Sequence, residues 1–177
     1  RSPGVLDMVA WSGNSVAGRE IPHSLDSEPE IIILKVRNQS DSWVVYNQSK
    51  GNQFYSKLDT DDKGWDNTTM WNSTSPTSTE FTVGDGYDIN YTGNTYIAYL
   101  FASKSGVSKI GTYTGTSNTG AFSVNLGFLP RFLMVKSLTQ DNRDWIVFDS
   151  KRNFTVGSTS AAGIALNNTD SDATQGE

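Results

Sequence analysis

The sequence predicts an all-β protein built from antiparallel β-sandwich or jelly-roll-like modules in tandem. Aromatic residues reach 11% in a chain rich in Ser, Thr, Asn and Gly, a composition that suits short strands joined by polar turns. Apolar runs of strand length alternate with Gly, Pro and Asn turn signals. One segment, 30–47, returns about a hundred residues later as 131–150. Such self-similarity indicates a repeated structural unit.

The repeated segment is predicted to be a β-hairpin. In 30–47 an apolar run is joined by a polar turn to a β-branched and aromatic run. Trp43 matches Trp145, 102 positions on, and Lys35 matches Lys136, 101 positions on. The offset changes through single insertions in turns, where they cost least.

The repeat divides the chain into two predicted units, 1–105 and 106–177. The strongest strand signal of the first unit is TYIAYLFA at 95–102, and nothing after Leu166 corresponds to it. We therefore expect the second unit to be incomplete and the chain to be a fragment of a longer one.

Further strands are predicted from apolar runs and their flanking turns. Their ranges are 5–11, 31–36, 43–46, 53–58 and 80–83, with a copy of the first strand at 109–113. The run 31–36 shows no apolar–polar alternation at its start, so we expect both of its faces to be covered. In 53–58 either Phe54 or Tyr55 is expected to face inward, but not both, because strand side chains alternate.

Charge and composition exclude several classes of function. The net charge is −5 and the pI about 4.8, which disfavours nucleic acids and anionic membranes as partners. No apolar run approaches the roughly 20 residues of a membrane-spanning helix, so membrane insertion is not expected. Cysteine is absent, which excludes disulfides, thiol catalysis and thiolate metal sites.

The best candidates for ligand binding are Trp65 and Trp71. Both lie in the long polar segment 59–78, among Asp, Asn, Ser and Thr. Aromatic faces in polar loops stack on sugar rings, while Asn and Asp side chains bond to the hydroxyls. The alternative is that both tryptophans pack under their own loop as a small apolar cluster.

No catalytic, metal or cofactor site is predicted. His23 is the only histidine, and we interpret it as a hydrogen-bonded turn or surface residue. Asp59, Asp61 and Asp62 resemble the start of a calcium loop. Met70 stands where an EF-hand needs its Glu, so a solvated acidic loop is the preferred interpretation. We therefore predict that the protein is not an enzyme.

With the repeat laid out, the chain resembles a repeated domain of bacteriophage tail-fibre-like virion proteins, common in marine phages. The matching segments are WSGN at 11–14, GREIPHSL at 18–25, 29–35, 43–46, 74–79, 81–84, 94–102, WIVFD at 145–149 and 152–153. The resemblance implies a β-sandwich module on the external surface of a virion, in a tail or fibre. It implies other virion proteins as partners and assembly as a homotrimer, and it implies no catalytic residues. We therefore predict a structural and adhesive module that contributes to attachment to a host-surface glycan. The alternatives are a carbohydrate-active enzyme or its carbohydrate-binding module, and a structural or head-decoration virion protein without a ligand.

Overall fold

The protein is all-β with antiparallel sheets, as predicted. The computed structural model describes residues 1–116, 123–152, 162–168 and 173–174. In this part of the chain the strands β1–β12 are Leu6–Ser12, Arg19–Pro22, Ile31–Val36, Trp43–Asn47, Phe54–Lys57, Trp65–Asp66, Glu80–Val83, Thr95–Phe101, Phe132–Val135, Ile146–Asp149, Ala162–Ala165 and Ala173–Thr174. A 3-10 turn, Gln48–Lys50, follows β4. No helix in these described ranges is long and apolar enough to cross a membrane.

The strands form three sheets. The largest has six strands in the order β1-β8-β3-β4-β5-β6. The strands β2 and β7 form a separate two-stranded ribbon, and β9–β12 form a four-stranded sheet in the order β12-β11-β10-β9. All described strand pairs are antiparallel.

The hydrophobic core lies on one face of the six-stranded sheet. In β3, Ile32, Leu34 and Val36 are buried, because alternate side chains of a strand point to the same face. The ribbon and the loops complete the same cluster. Its members outside β3 are Trp11, Ile21, Leu25, Val44, Tyr46, Met70, Trp71, Phe81, Val83, Ile89, Tyr96, Ala98, Leu100 and Ala102.

The opposite face of the six-stranded sheet is only partly covered. Ile31, Ile33 and Lys35 of β3 are half-buried, and Met8 of β1 is 49% exposed. The expectation that both faces of 31–36 are covered is therefore wrong for the second face. An apolar run in the sequence does not distinguish a covered face from a half-covered one.

The strand β5 contributes side chains to both faces. Phe54 is 4% exposed and lies outside the main core cluster, whereas the half-buried Tyr55 packs against that cluster. Phe54 and Tyr55 point to opposite faces of the sheet, and each of them packs against an apolar surface there. The structure therefore does not make one of the two the single inward-facing residue.

The four-stranded sheet repeats the register of β3–β6. The pair Ile33↔Val45 of β3 and β4 corresponds to Met134↔Val147 of β9 and β10 at the offsets of 101 and 102. Towards the other edge of each sheet, Tyr55↔Trp65 corresponds to Gly163↔Ala173 at an offset of 108. The equivalence therefore extends through three strand pairings.

Side-chain contacts repeat together with the register. The Lys35 ammonium lies 5.6 Å from the ring centroid of Trp43, and the Lys136 ammonium lies 5.9 Å from that of Trp145. A carboxamide or carboxylate oxygen accepts each tryptophan backbone N–H: Asp59 for Trp43 at 3.0 Å, and Asn167 for Trp145 at 2.8 Å.

The expected copy of the first strand, at 109–113, is not a strand in the structure. Strand β1 pairs along its whole length with β8, which is its only partner strand among the described residues. Among the described residues no strand corresponds to β8 in the second unit. Without that neighbour, the segment 109–113 has no ladder to join.

The two copies meet at a polar seam. The indole N–H of Trp145 donates to the carbonyl of Lys57 at 2.8 Å, and the backbone N–H of Arg143 donates to the carbonyl of Asp61 at 3.0 Å. Asp141 accepts the backbone N–H of Lys63 at 3.0 Å and pairs with its ammonium at 3.3 Å. The end of β5 and the loop that follows it, residues 57–63, thus contact the segment 141–145.

Candidate functional site

Trp71 belongs to the core. It is 1% exposed, and its indole N–H donates to the carbonyl of Phe54 at 3.0 Å. Its ring meets Tyr46 edge to face, with centroids 5.4 Å apart. This burial corrects the expectation that Trp71 contacts a ligand, because its ring is enclosed in the main core cluster. It also differs from the alternative interpretation, in which both tryptophans form a small cluster under their own loop.

Trp65 is placed differently, on the edge strand β6. It is 39% exposed, and it is the cross-strand neighbour of Tyr55, with ring centroids 5.4 Å apart. The Lys57 ammonium lies 5.8 Å from the Trp65 ring centroid. We call Tyr55, Lys57 and Trp65 the aromatic platform.

The backbone around Gly64 makes the platform possible. Gly64 has φ +108°, a conformation that L side chains rarely adopt. A Cβ there would lie 2.4 Å from the Phe54 ring and 2.6 Å from the Tyr55 carbonyl oxygen. Glycine therefore lets the chain approach β5 closely enough for Trp65 to pair with Tyr55.

Two carboxyl groups, Asp41 and Asp88, interact with each other, and Asp88 also feels the charge of Lys57. Burial, a hydrogen bond with Asp41 and the charge of Asp41 together raise the pKa of Asp88 to about 6, while the Lys57 ammonium acts in the opposite direction. The buried Oδ2 of Asp41 has no donor among the described residues when both groups are ionised. A proton on Asp88 would supply that donor, which adds to the effect of burial on the pKa of Asp88.

The platform offers three kinds of contact. The Trp65 ring face can bind the apolar face of a sugar ring, the Lys57 ammonium can donate to hydroxyl oxygens, and the Tyr55 hydroxyl can both donate and accept. No group of three or more His, Cys, Asp or Glu side chains in the described ranges could hold a metal ion. The arrangement therefore suits an uncharged polyhydroxylated ligand.

A second exposed aromatic pair was not predicted. Tyr87 and Tyr91 are 45% and 50% exposed, and their ring centroids lie 5.7 Å apart. The loop that carries them is held by the buried Asn90, whose amide donates to Asn14 at 2.9 Å and to the carbonyl of Val16 at 3.1 Å. The sequence feature that could have predicted this pair is the presence of two tyrosines four positions apart in a polar loop.

His23 is a buried structural residue. It is 8% exposed, its Nδ1 accepts the backbone N–H of Leu25 at 3.2 Å, and its Nε2 lies 3.2 Å from the carbonyl of Thr77. Because Nδ1 accepts, Nε2 carries the proton and donates to Thr77. Burial lowers the pKa of His23. Both ring nitrogens are occupied by backbone groups.

The acidic segment 59–62 belongs to the seam between the copies. Asp59 accepts the backbone N–H of Trp43, as noted above, and the Asp61 carbonyl accepts from Arg143. Burial lowers the pKa of Lys136, while the nearby charges of Asp61 and Asp62 act against this. The acidic segment 59–62 therefore has a structural role.

An open groove of about 290 Å³ lies where the second copy begins. Glu30, Ser49 and Ile110 are among its lining residues. The Glu30 carboxylate already accepts the backbone N–H and hydroxyl of Ser103, at 2.9 and 2.6 Å. One of the two carboxylate oxygens of Glu30 is therefore already occupied and is not available to a ligand in the groove.

No curated protein and no solved structure matches this chain. One family does match, over residues 4–177, which is nearly the entire chain. The chain therefore belongs to the family described as a domain of unknown function, DUF7483.

Proposed function

We propose that this chain is a structural and adhesive module that binds a carbohydrate through the aromatic platform. The observation that carries the proposal is the exposed Trp65 ring, which packs against Tyr55 at a tilt and is flanked by Lys57 on a sheet edge. A tryptophan held rigidly at a surface loses little conformational entropy when a sugar stacks on it.

The proposal includes a tandem organisation, in which 1–105 and 106–177 are successive β-sandwich-like units. The repeated registers of β3–β6 and β9–β12 support it. Several units on one appendage, for example a homotrimeric virion tail fibre, would turn weak single-site affinity into stable attachment to a host surface. The external surface of a virion and other virion proteins as neighbours are part of this proposal.

We propose no catalytic role for the carboxyl pair. Asp41 and Asp88 share a hydrogen bond. Retaining glycosidases hold their two carboxyls about 5 Å apart and inverting ones farther still, so that a sugar or water fits between them. A hydrogen-bonded pair leaves no such space.

A second candidate function is a spacer that binds no ligand. The seam favours it, because the Trp145–Lys57 hydrogen bond and the Lys63–Asp141 ion pair hold one copy against the next. A spacer needs such contacts and does not need an exposed tryptophan.

The two candidates are separated by binding of the intact chain to immobilised bacterial surface polysaccharides. We compare the wild type with Trp65→Ala and Trp65→Phe, and use Tyr113→Ala as a matched control, since Tyr113 is also exposed but lies outside the platform. Loss of one stacked ring costs about 1–2 kcal/mol, or roughly a five- to thirtyfold weaker Kd.

The adhesive proposal requires that Trp65→Ala weakens binding, that Trp65→Phe retains part of it, and that Tyr113→Ala has no effect. Equal polysaccharide binding by all four proteins would show that the platform takes no part in it. Absence of binding by a folded wild type to every polysaccharide tested would favour the spacer.

A further inference from the structure

We propose that the free edge of β9 is a docking site for an antiparallel strand of the β8 type. A strand of this type is an extended segment with apolar side chains at alternate positions, like Thr95–Phe101. The inference rests on the tandem organisation proposed above and does not depend on sugar binding.

The first copy shows what lies along this edge when the sheet is complete. Strand β8 pairs with β3 over six residues, from Ile31↔Phe101 to Val36↔Tyr96. Beside it, Ile32 and Leu34 of β3 are 0% exposed. Their burial depends on β8, which places Leu100 opposite Ile32 and Ala98 opposite Leu34.

In the second copy the same edge is open among the described residues. Strand β9 pairs with β10 there and ends the sheet. Leu133 and Val135, the counterparts of Ile32 and Leu34, are half-buried, and Phe132 is 60% exposed. An unpaired, apolar strand edge presents a row of N–H and C=O groups that can add another strand.

A second segment points to the same occupant. The segment 109–113 matches part of β1, which pairs only with β8, and it forms no strand. Tyr113 is 53% exposed, whereas its counterpart Trp11 is 9% exposed. One strand placed beside β9 would offer 109–113 the edge that β8 offers to β1.

Strand β8 of a second copy is a poor source for this strand. It is hydrogen-bonded on both edges, to β1 and to β3, and Tyr96, Ala98 and Leu100 are fully buried. Releasing it would open the core of the first copy. We therefore assign the edge to a separate β8-type segment.

The test adds such a segment to the full chain. A synthetic peptide with the sequence of residues 94–103, flanked by lysines for solubility, is titrated while amide hydrogen exchange is followed. We expect saturable binding of one peptide per chain. Exchange of the β9 amides that do not already bond to β10 should slow about tenfold or more, since ladder hydrogen bonds protect amides.

The control peptide carries Ala98→Pro, which removes a backbone donor and breaks the ladder. It should give no protection. Equal protection by both peptides, or none by the unchanged peptide, would contradict the proposal. So would β9 protection that grows with protein concentration without peptide, because a second copy would then occupy the edge.

A second protein keeps the result from depending on peptide solubility. Because Asp66 and Thr174 hold equivalent register positions, residues 67–105 are spliced after Thr174, so that a new β8 segment follows the second copy. In this spliced protein the β9 amides should be protected from hydrogen exchange without peptide, and added peptide should no longer bind. Unprotected β9 amides, with the first copy still folded, would overturn the inference.

The Trp65→Ala variant should bind the β8-type peptide as the wild type does. Loss of polysaccharide binding with intact peptide binding would locate a failure in the adhesive proposal alone. Loss of peptide binding in the wild type, with polysaccharide binding intact, would locate it in the strand-docking proposal.

Discussion

Replacement of Asp88 by Asn should stabilise the protein at neutral pH. The pKa of this carboxyl is raised from its ordinary value of 3.8 to about 6 in the folded state, first by burial and then by Asp41. The folded state therefore holds a proton that the unfolded state has released between these values. Stability from this group is present at low pH and is lost as the pH rises through about 6.

The size of the effect follows from the two pKa values. The difference between 3.8 and about 6 corresponds to about 3 kcal/mol at most. Asp88 is only half-buried, and solvent screening reduces this to about 1–2 kcal/mol. Because an amide is neutral at every pH and can donate to Asp41, Asp88→Asn should recover that amount above pH 7 and little below pH 4.

The assay is urea unfolding followed by tryptophan fluorescence at several pH values. The difference in unfolding free energy between Asp88→Asn and the wild type isolates this group, because the other titrating groups cancel. The exposed Asp85, three residues away, provides the matched control Asp85→Asn.

Asp41→Asn should lower the pH at which Asp88 loses its proton in the folded state, since the substitution removes the neighbouring charge and supplies a hydrogen-bond donor. A difference between Asp88→Asn and the wild type that stays constant from pH 4 to pH 7.5 would refute the reasoning. A stabilisation of equal size from Asp85→Asn would refute it as well.

Four further substitutions test the packing. Trp71→Ala should cost about 3–5 kcal/mol in urea unfolding, because a fully buried ring is lost, whereas a cost below about 1 kcal/mol would contradict its place in the core. Gly13→Ala should cost about 1–3 kcal/mol in the same assay, because its Cβ would lie 2.1 Å from the Tyr91 carbonyl oxygen; an unchanged midpoint would count against that close approach. Ser56→Ala should raise the unfolding midpoint by the equivalent of about 1 kcal/mol, since its buried hydroxyl has no partner among the described residues, and a loss of stability would show that the hydroxyl is bonded. His23→Gln should gain stability relative to the wild type as the pH falls below 6.5, because the lowered pKa of His23 makes the folded wild type lose stability on acidification; a difference that does not change with pH would contradict this.

The two titrating groups act in opposite directions. Acidification favours the folded state through Asp88 and disfavours it through His23. The pH profile of the wild type alone therefore combines both, and only the variants separate them.

Much of the fold could be predicted from local pattern. The hairpins at 31–47 and 132–149 were recognisable because an apolar run, a polar turn and a matched second run are contiguous in the chain. The all-β class followed from β-branched and aromatic residues between turn signals. The repeat was visible because Trp43 and Lys35 recur with nearly constant spacing.

The candidate site was predicted only in part. The segment 59–78 places Trp65 and Trp71 six positions apart in similar polar surroundings, yet one is exposed and the other is buried. The difference arises from residues distant in sequence. Trp71 packs against the ring of Tyr46 and bonds to the carbonyl of Phe54, whereas Trp65 lies on an edge strand with a single neighbouring strand. The Asp41–Asp88 pair joins a hairpin turn to a loop forty-seven positions away, and no local pattern indicates it.

The sequence by itself determined the all-β class and the hairpins and indicated the repeat of the segment 30–47, because each depends on neighbouring residues or on a fixed spacing. Only the tertiary structure decided which face of β3 is covered, which tryptophan reaches solvent and why 109–113 forms no strand. A strand needs hydrogen bonds from a neighbour, and an apolar side chain needs a surface to pack against. In β1, β3 and β8 those neighbours come from opposite ends of the first copy. For β9 and 109–113 the described part of the chain supplies no equivalent of β8.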